Sequence, residues 1–80
     1  MNIFIANVDF TVREDELRAQ FEEFGTVSSF KIITDRETGR SKGYGFAEMP
    51  DNDEGLNAIS ALNGKEVNGR ALVVKISRPK

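Results

Sequence analysis

Eighty residues, with eleven Lys and Arg against thirteen Asp and Glu, carry a net charge of −2. The length fits one domain, residues 1–80, and a chain this small buries only about 60 to 65% of its unfolded surface. There is no cysteine and no histidine, which excludes disulfide frameworks, thiolate nucleophiles, thiolate zinc sites, and imidazole bases or ligands.

No apolar run approaches the roughly 20 residues of a membrane span. The start, Met1-Asn2-Ile3-Phe4, lacks the basic and long apolar regions of a signal peptide. A soluble, cytoplasmic protein with no membrane partner is expected. The overall acidity points away from a polyanionic partner, whose phosphates reward positive charge. That objection depends on where the charges lie.

The first run, Ile3-Phe4-Ile5-Ala6, is apolar and rich in β-branched and aromatic residues, so it predicts a strand. Residues 7–11 are a connector. Residues 14–24 place Leu17, Phe21 and Phe24 at i, i+4 and i+7, one stripe of a helix that Gly25 stops. Glu14, Asp15 and Glu16 suit the positive end of its dipole. Thr11 and Glu14 have the spacing of a capping box, although Arg13, a poor cap, stands at the natural cap position.

Residues 27–34 turn to β periodicity, with Phe30 and Ile32 on one face and Lys31 and Ile33 on the other. Residues 35–42 read as an exposed loop, and residues 43–49 as the partner strand, ended by Pro50. Asp51 or Asn52 caps a second helix through Leu62, with Ala58, Ile59 and Leu62 inward; Gly55 weakens it by about 1 kcal/mol relative to Ala. Asn63-Gly64 ends it, residues 65–69 are a polar connector, and residues 71–77 alternate as a last strand. In that strand Leu72, Val74 and Ile76 form the core face.

The order β-α-β-β-α-β predicts an α+β fold: a four-stranded antiparallel sheet with both helices on one face. The other face is left open. On the third strand, alternation separates Gly45, Ala47 and Met49 from Tyr44, Phe46 and Glu48. Small residues at 45 and 47 suit a close approach of the helices. The most economical alignment puts Phe4, Tyr44 and Phe46 on the open face with Lys31 and Lys75. Exposed aromatics with basic neighbours mark a binding surface, and nucleobases, each with a π face, are its natural partner.

Lys42-Gly43-Tyr44-Gly45-Phe46-Ala47-Glu48-Met49 resembles the octamer signature of the RNA recognition motif family, and Ile3-Phe4-Ile5-Ala6-Asn7-Val8 its hexamer signature. The likeness extends over essentially the whole chain and is similar to the small stand-alone bacterial members. It implies a ferredoxin-like fold and binding of single-stranded RNA, with no catalytic role, cofactor or metal. By resemblance, Phe4 and Tyr44 are ring platforms for successive bases, and Phe46 packs against the sugars between them. Lys42 meets a backbone phosphate, and Asn7 is mainly structural. Lys31, Arg40, Lys75 and Arg78 have the placement of supporting contacts.

Met49 and Ala47 stand where the family usually has an aromatic and a Val. Both point inward, and Phe30 is expected to fill the volume that Ala47 gives up. Gly55, in place of the usual Ala, is expected to cost helix stability only.

The charges divide by segment. Residues 13–24 and 51–66 each sum to −3, residues 67–80 to +4, residues 25–50 to +1 and residues 1–12 to −1. Acid collects on the helical side and base on strands, loop and tail. Single-stranded DNA is a second partner this face suits, because stacking does not distinguish the sugars. A protein-interaction role, with a partner on the acidic helical face, is the alternative from a different class. For an enzyme there is no nucleophile motif and no phosphate-cradling loop before a helix; Gly43-Tyr44-Gly45 continues as a strand.

Overall fold

The computed structural model describes residues 1–77. In chain order the elements are β1 (Asn2–Ala6), α1 (Glu14–Glu22), β2 (Ser29–Thr34), β3 (Ser41–Glu48), α2 (Asn52–Leu62), β4 (Glu66–Val67), β5 (Arg70–Ala71) and β6 (Val73–Ile76). Four of these strands form one sheet in the order β2-β3-β1-β6, with every neighbour antiparallel. This is the expected ferredoxin-like α+β arrangement. Both crossovers skip one strand, so the chain returns parallel to the strand it left and each helix lies across the same sheet face.

Alternation sets which side is covered. Ile3 and Ile5 of β1, Phe30 and Ile32 of β2, Ala47 of β3 and Val74 of β6 are buried under Leu17 and Phe21 of α1 and Ala58 and Leu62 of α2. Each large side chain removed from water here contributes about 1.5 to 3 kcal/mol. Phe30 pairs directly with Ala47 and its ring lies 5.5 Å from that of Phe21. The bulky residue thus stands beside the small one, as expected from their volumes.

The helix ends differ. Asp51 caps α2 by accepting the Glu54 N–H at 3.0 Å. At α1, Arg13 holds the cap position and makes no side-chain cap bond. The capping box expected of Thr11 and Glu14 does not form. Thr11 lies two residues before the cap and donates its N–H and its hydroxyl to the Asp9 carboxylate. Glu14 instead accepts the Ile32 N–H of the edge strand β2 at 3.2 Å. On the opposite edge Asn63 accepts the Val74 N–H at 3.0 Å. A side chain from or next to a helix therefore occupies a strand donor at each edge, which blunts edge pairing.

Four further expectations are corrected. Residues 65–69 are not a plain connector: β4 and β5 make a two-stranded ribbon turned by Asn68 (φ 52°) and Gly69 (φ 87°), the left-handed pair that a tight hairpin requires. Gly45 makes room for a strand rather than a helix, since a Cβ there would overlap the Lys31 carbonyl oxygen and come within 3.0 Å of Ile32 Cα. Gly55 does more than weaken α2. It is buried, and a Cβ would meet Met1 Sδ at 2.7 Å. Ile76 is not core but 43% exposed. It ends an edge strand, with Ile3 as its one sheet partner. Strand and helix ends also shift: β2 begins at Ser29, α1 stops at Glu22, and Ala71 belongs to the ribbon.

Candidate nucleic-acid interface

The uncovered sheet face carries a row of four side chains, one from each strand. Lys31 of β2 pairs with Phe46 of β3, Phe46 with Phe4 of β1, and Phe4 with Lys75 of β6. Because neighbours in a ladder point to the same side, two rings stand side by side between two lysines. The Phe4 and Phe46 centroids are 5.4 Å apart, and Lys75 Nζ lies 5.7 Å from the Phe4 centroid. Tyr44 completes a triangle, 6.1 Å from Phe4 and 6.3 Å from Phe46, and stands edge-on to Phe46 at 88°. Phe46 is 41% exposed, whereas Phe4 and Tyr44 are half-buried.

The backbone explains why these three rings meet. Each lies at an outward position of a strand whose alternate residues (Ile3, Ile5, Gly45 and Ala47) are held in the core. Beside Phe46, Asn2, Ser29, Lys31, Glu48 and Ser77 line an open depression of about 300 Å³. Its lining mixes apolar and polar groups, and Lys31 and Glu48 give it both charges.

The other expected contacts lie around this row. Lys42 is exposed in β3, two residues before Tyr44. Arg40 sits in the loop between β2 and β3, away from the row. There Asp35 accepts the N–H groups of Glu37 and Thr38 with one carboxylate oxygen. Those bonds, followed by the Lys42 charge, hold the Asp35 carboxyl below its ordinary 3.8. Arg78 lies outside the described residues.

Asn7, in the left-handed region at φ 57°, is tied into the fold. Its amide donates to the Ala71 carbonyl at 2.8 Å, and its Oδ1 accepts from Arg70 at 3.2 Å. Its polar atoms brace the ribbon against the end of β1.

Two residues near this end escaped the sequence reading. Phe10, in the loop between β1 and α1, is 63% exposed, and the Arg70 guanidinium lies 5.7 Å from its ring centroid. Phe10 belongs to no periodic stripe. Arg70 reaches it only through the ribbon, which Asn68-Gly69 signals. Arg70 Nε also lies 3.9 Å from Asp9. The Thr11 hydroxyl and N–H, and then Arg70, hold the Asp9 carboxyl below 3.8.

Residues 3–73 match the model of the RNA recognition motif. The chain belongs to the RNA recognition motif family. The crystal structure of RNA binding protein PG1 superposes with a TM-score of 0.90 at 45% identity, covering 100% of this chain and 99% of that one. The Rna15 member of the family with bound RNA (GU) superposes with a TM-score of 0.88 at 28% identity, over 98% of this chain and 83% of that one. Among curated relatives, RbpA of Nostoc sp. is 44% identical over 80 residues, all of this chain and 78% of RbpA. Human cleavage stimulation factor subunit 2 tau variant is 45% identical over 73 residues, 91% of this chain but 12% of that protein. The chain thus spans a small part of the longer relatives it matches and most of the small cyanobacterial one.

Proposed function

We propose that the chain is a single-stranded RNA-binding module, acting through 1–80 as one domain and without catalysis, and that its open sheet face is the site. The observation that carries this reading is the Lys31-Phe46-Phe4-Lys75 row with Tyr44 beside it. Bases stack on exposed rings, each worth about 1 to 3 kcal/mol, and flanking lysines meet the phosphates that join them. A shallow sheet cannot enter the deep groove of duplex RNA, so unpaired strands are the ligand. The family match and the RNA-bound Rna15 structure support the same reading.

The exposure gradient refines the roles. Phe46 offers the fullest ring surface and sits directly opposite Phe4, so these two are the base platforms. Tyr44, half-buried and edge-on to Phe46, is the ring that packs between the nucleotides. This exchanges the roles that resemblance alone gave to Tyr44 and Phe46. Lys31 and Lys75 flank the platforms, Lys42 meets a phosphate near Tyr44, and Arg40 and Arg78 are supporting cations. Ring stacking does not sense the 2′-hydroxyl, so single-stranded DNA competes for the same face.

The test is a fluorescence anisotropy titration with short single-stranded RNA pools. Phe46→Ala should weaken binding by about 5- to 150-fold, the equivalent of one lost stack. Unaltered affinity in that variant, or no binding by the native chain, overturns the proposal.

A further inference from the structure

We infer that Phe10 is an additional base platform, extending the RNA path beyond the sheet onto the loop between β1 and α1. This rests on the RNA-binding reading above. Phe10 is the most exposed large apolar side chain among the described residues, at 63%. An isolated exposed ring needs no explanation in itself. Phe10 differs because the backbone on both sides of it is pinned.

Asp9 accepts the Thr11 N–H at 2.9 Å and the Thr11 hydroxyl, and its carbonyl accepts the Val12 N–H at 3.0 Å. Asn68 of the ribbon turn donates to Thr11 Oγ1 at 3.1 Å. Arg70 bonds Asn7 on one side and faces Asp9 on the other, which leaves its guanidinium against Phe10. The ring is therefore held in solvent by an ordered loop and a docked ribbon.

Its position continues the aromatic surface. Val8 N–H donates to the Gly43 carbonyl at 2.9 Å, tying this loop to β3. A Cβ on Gly43 would lie 3.8 Å from the Phe10 ring, so Phe10 borders the backbone between Lys42 and Tyr44. A strand crossing Phe46, Phe4 and Tyr44 toward this end of the sheet meets Phe10 next. The Arg70 guanidinium lies over one face of the ring at 5.7 Å, the 63% exposure leaves the other for a base, and Arg70 and Lys42 supply positive charge for the adjoining phosphate. Asp9 opposes that charge in part. The rings are thus the main source of affinity here too.

The test compares a dinucleotide with a hexanucleotide, both single-stranded RNA, on the full chain. Phe10→Ala should weaken hexanucleotide binding by about 5- to 150-fold and leave the dinucleotide unchanged, because only the longer strand reaches the added platform. Phe10→Leu, which keeps apolar volume but removes the ring, should lose the same affinity, and Phe10→Tyr should retain it. The melting temperature of each variant should stay close to native.

Hexanucleotide affinity unchanged in Phe10→Ala, while Phe46→Ala weakens both strands, overturns the added platform alone. Equal loss for both strands, or full binding by Phe10→Leu, assigns Phe10 a packing role and also overturns it. If Phe46→Ala leaves both strands bound as before, the sheet reading itself fails.

Discussion

Gly45 and Gly55 are both buried glycines, yet the neighbour each one admits decides what a methyl group would do. At Gly45 the obstacle is the Lys31 carbonyl and the Ile32 Cα of the adjacent strand, backbone that is held in the ladder. Gly45→Ala should therefore cost about 1 to 3 kcal/mol in urea unfolding, as strained overpacking does. At Gly55 the obstacle is Met1 Sδ, the far end of a flexible side chain. Gly55→Ala gains up to about 1 kcal/mol of helix propensity and loses part of it in moving Met1, so its net change stays below about 1 kcal/mol. If the two variants unfold at the same urea concentration, this distinction between backbone and side-chain neighbours is wrong.

Among the elements, the two loops that turn directly after Asp9 and Asp35 share a device: a carboxylate accepting nearby N–H or hydroxyl groups. Both carboxyls titrate below their ordinary 3.8. The folded state then binds fewer protons than the unfolded one in that interval, so stability rises with pH there. The contribution is complete above 3.8 and is lost as the pH falls through the lowered folded values. Urea midpoints should decline over this acid range, and the double variant Asp9→Asn with Asp35→Asn should show a shallower decline. An unchanged slope in the double variant contradicts this role.

The main elements were legible because each is long enough to show its period. Leu17 and Phe21 declare a helix, and Phe30 and Ile32 a strand face. The row of Phe4, Phe46, Lys31 and Lys75 followed from alternation once Gly45 and Ala47 were placed inward. What escaped has a physical cause. Strands as short as β4 and β5 display no period, so only their Asn68-Gly69 turn could reveal them. Ile76 has the alternation of a core residue, but burial depends on what covers a strand end, which alternation does not report. Phe10 and Arg70 meet only after the ribbon folds back over the loop.

For the whole molecule, the charge of −2, which by itself points away from a polyanion, describes two sides. The segments bearing α1 and α2 sum to −3 each, while the open face places lysines at both ends of its aromatic row. Distant acid weakens long-range attraction without touching the rings. Binding should thus respond only moderately to salt, with log K falling against log salt at a slope of about −2 to −3 for three or four phosphates on a single strand. A slope near zero would remove the phosphate roles of Lys31, Lys42 and Lys75.

RNA on the face the helices leave open should be visible in amide NMR shifts recorded while short single-stranded RNA is added. The largest changes are expected at Phe4, Tyr44 and Phe46, with Lys31 and Lys75 following and α1 and α2 nearly silent. Changes centred on α1 or α2 would contradict it.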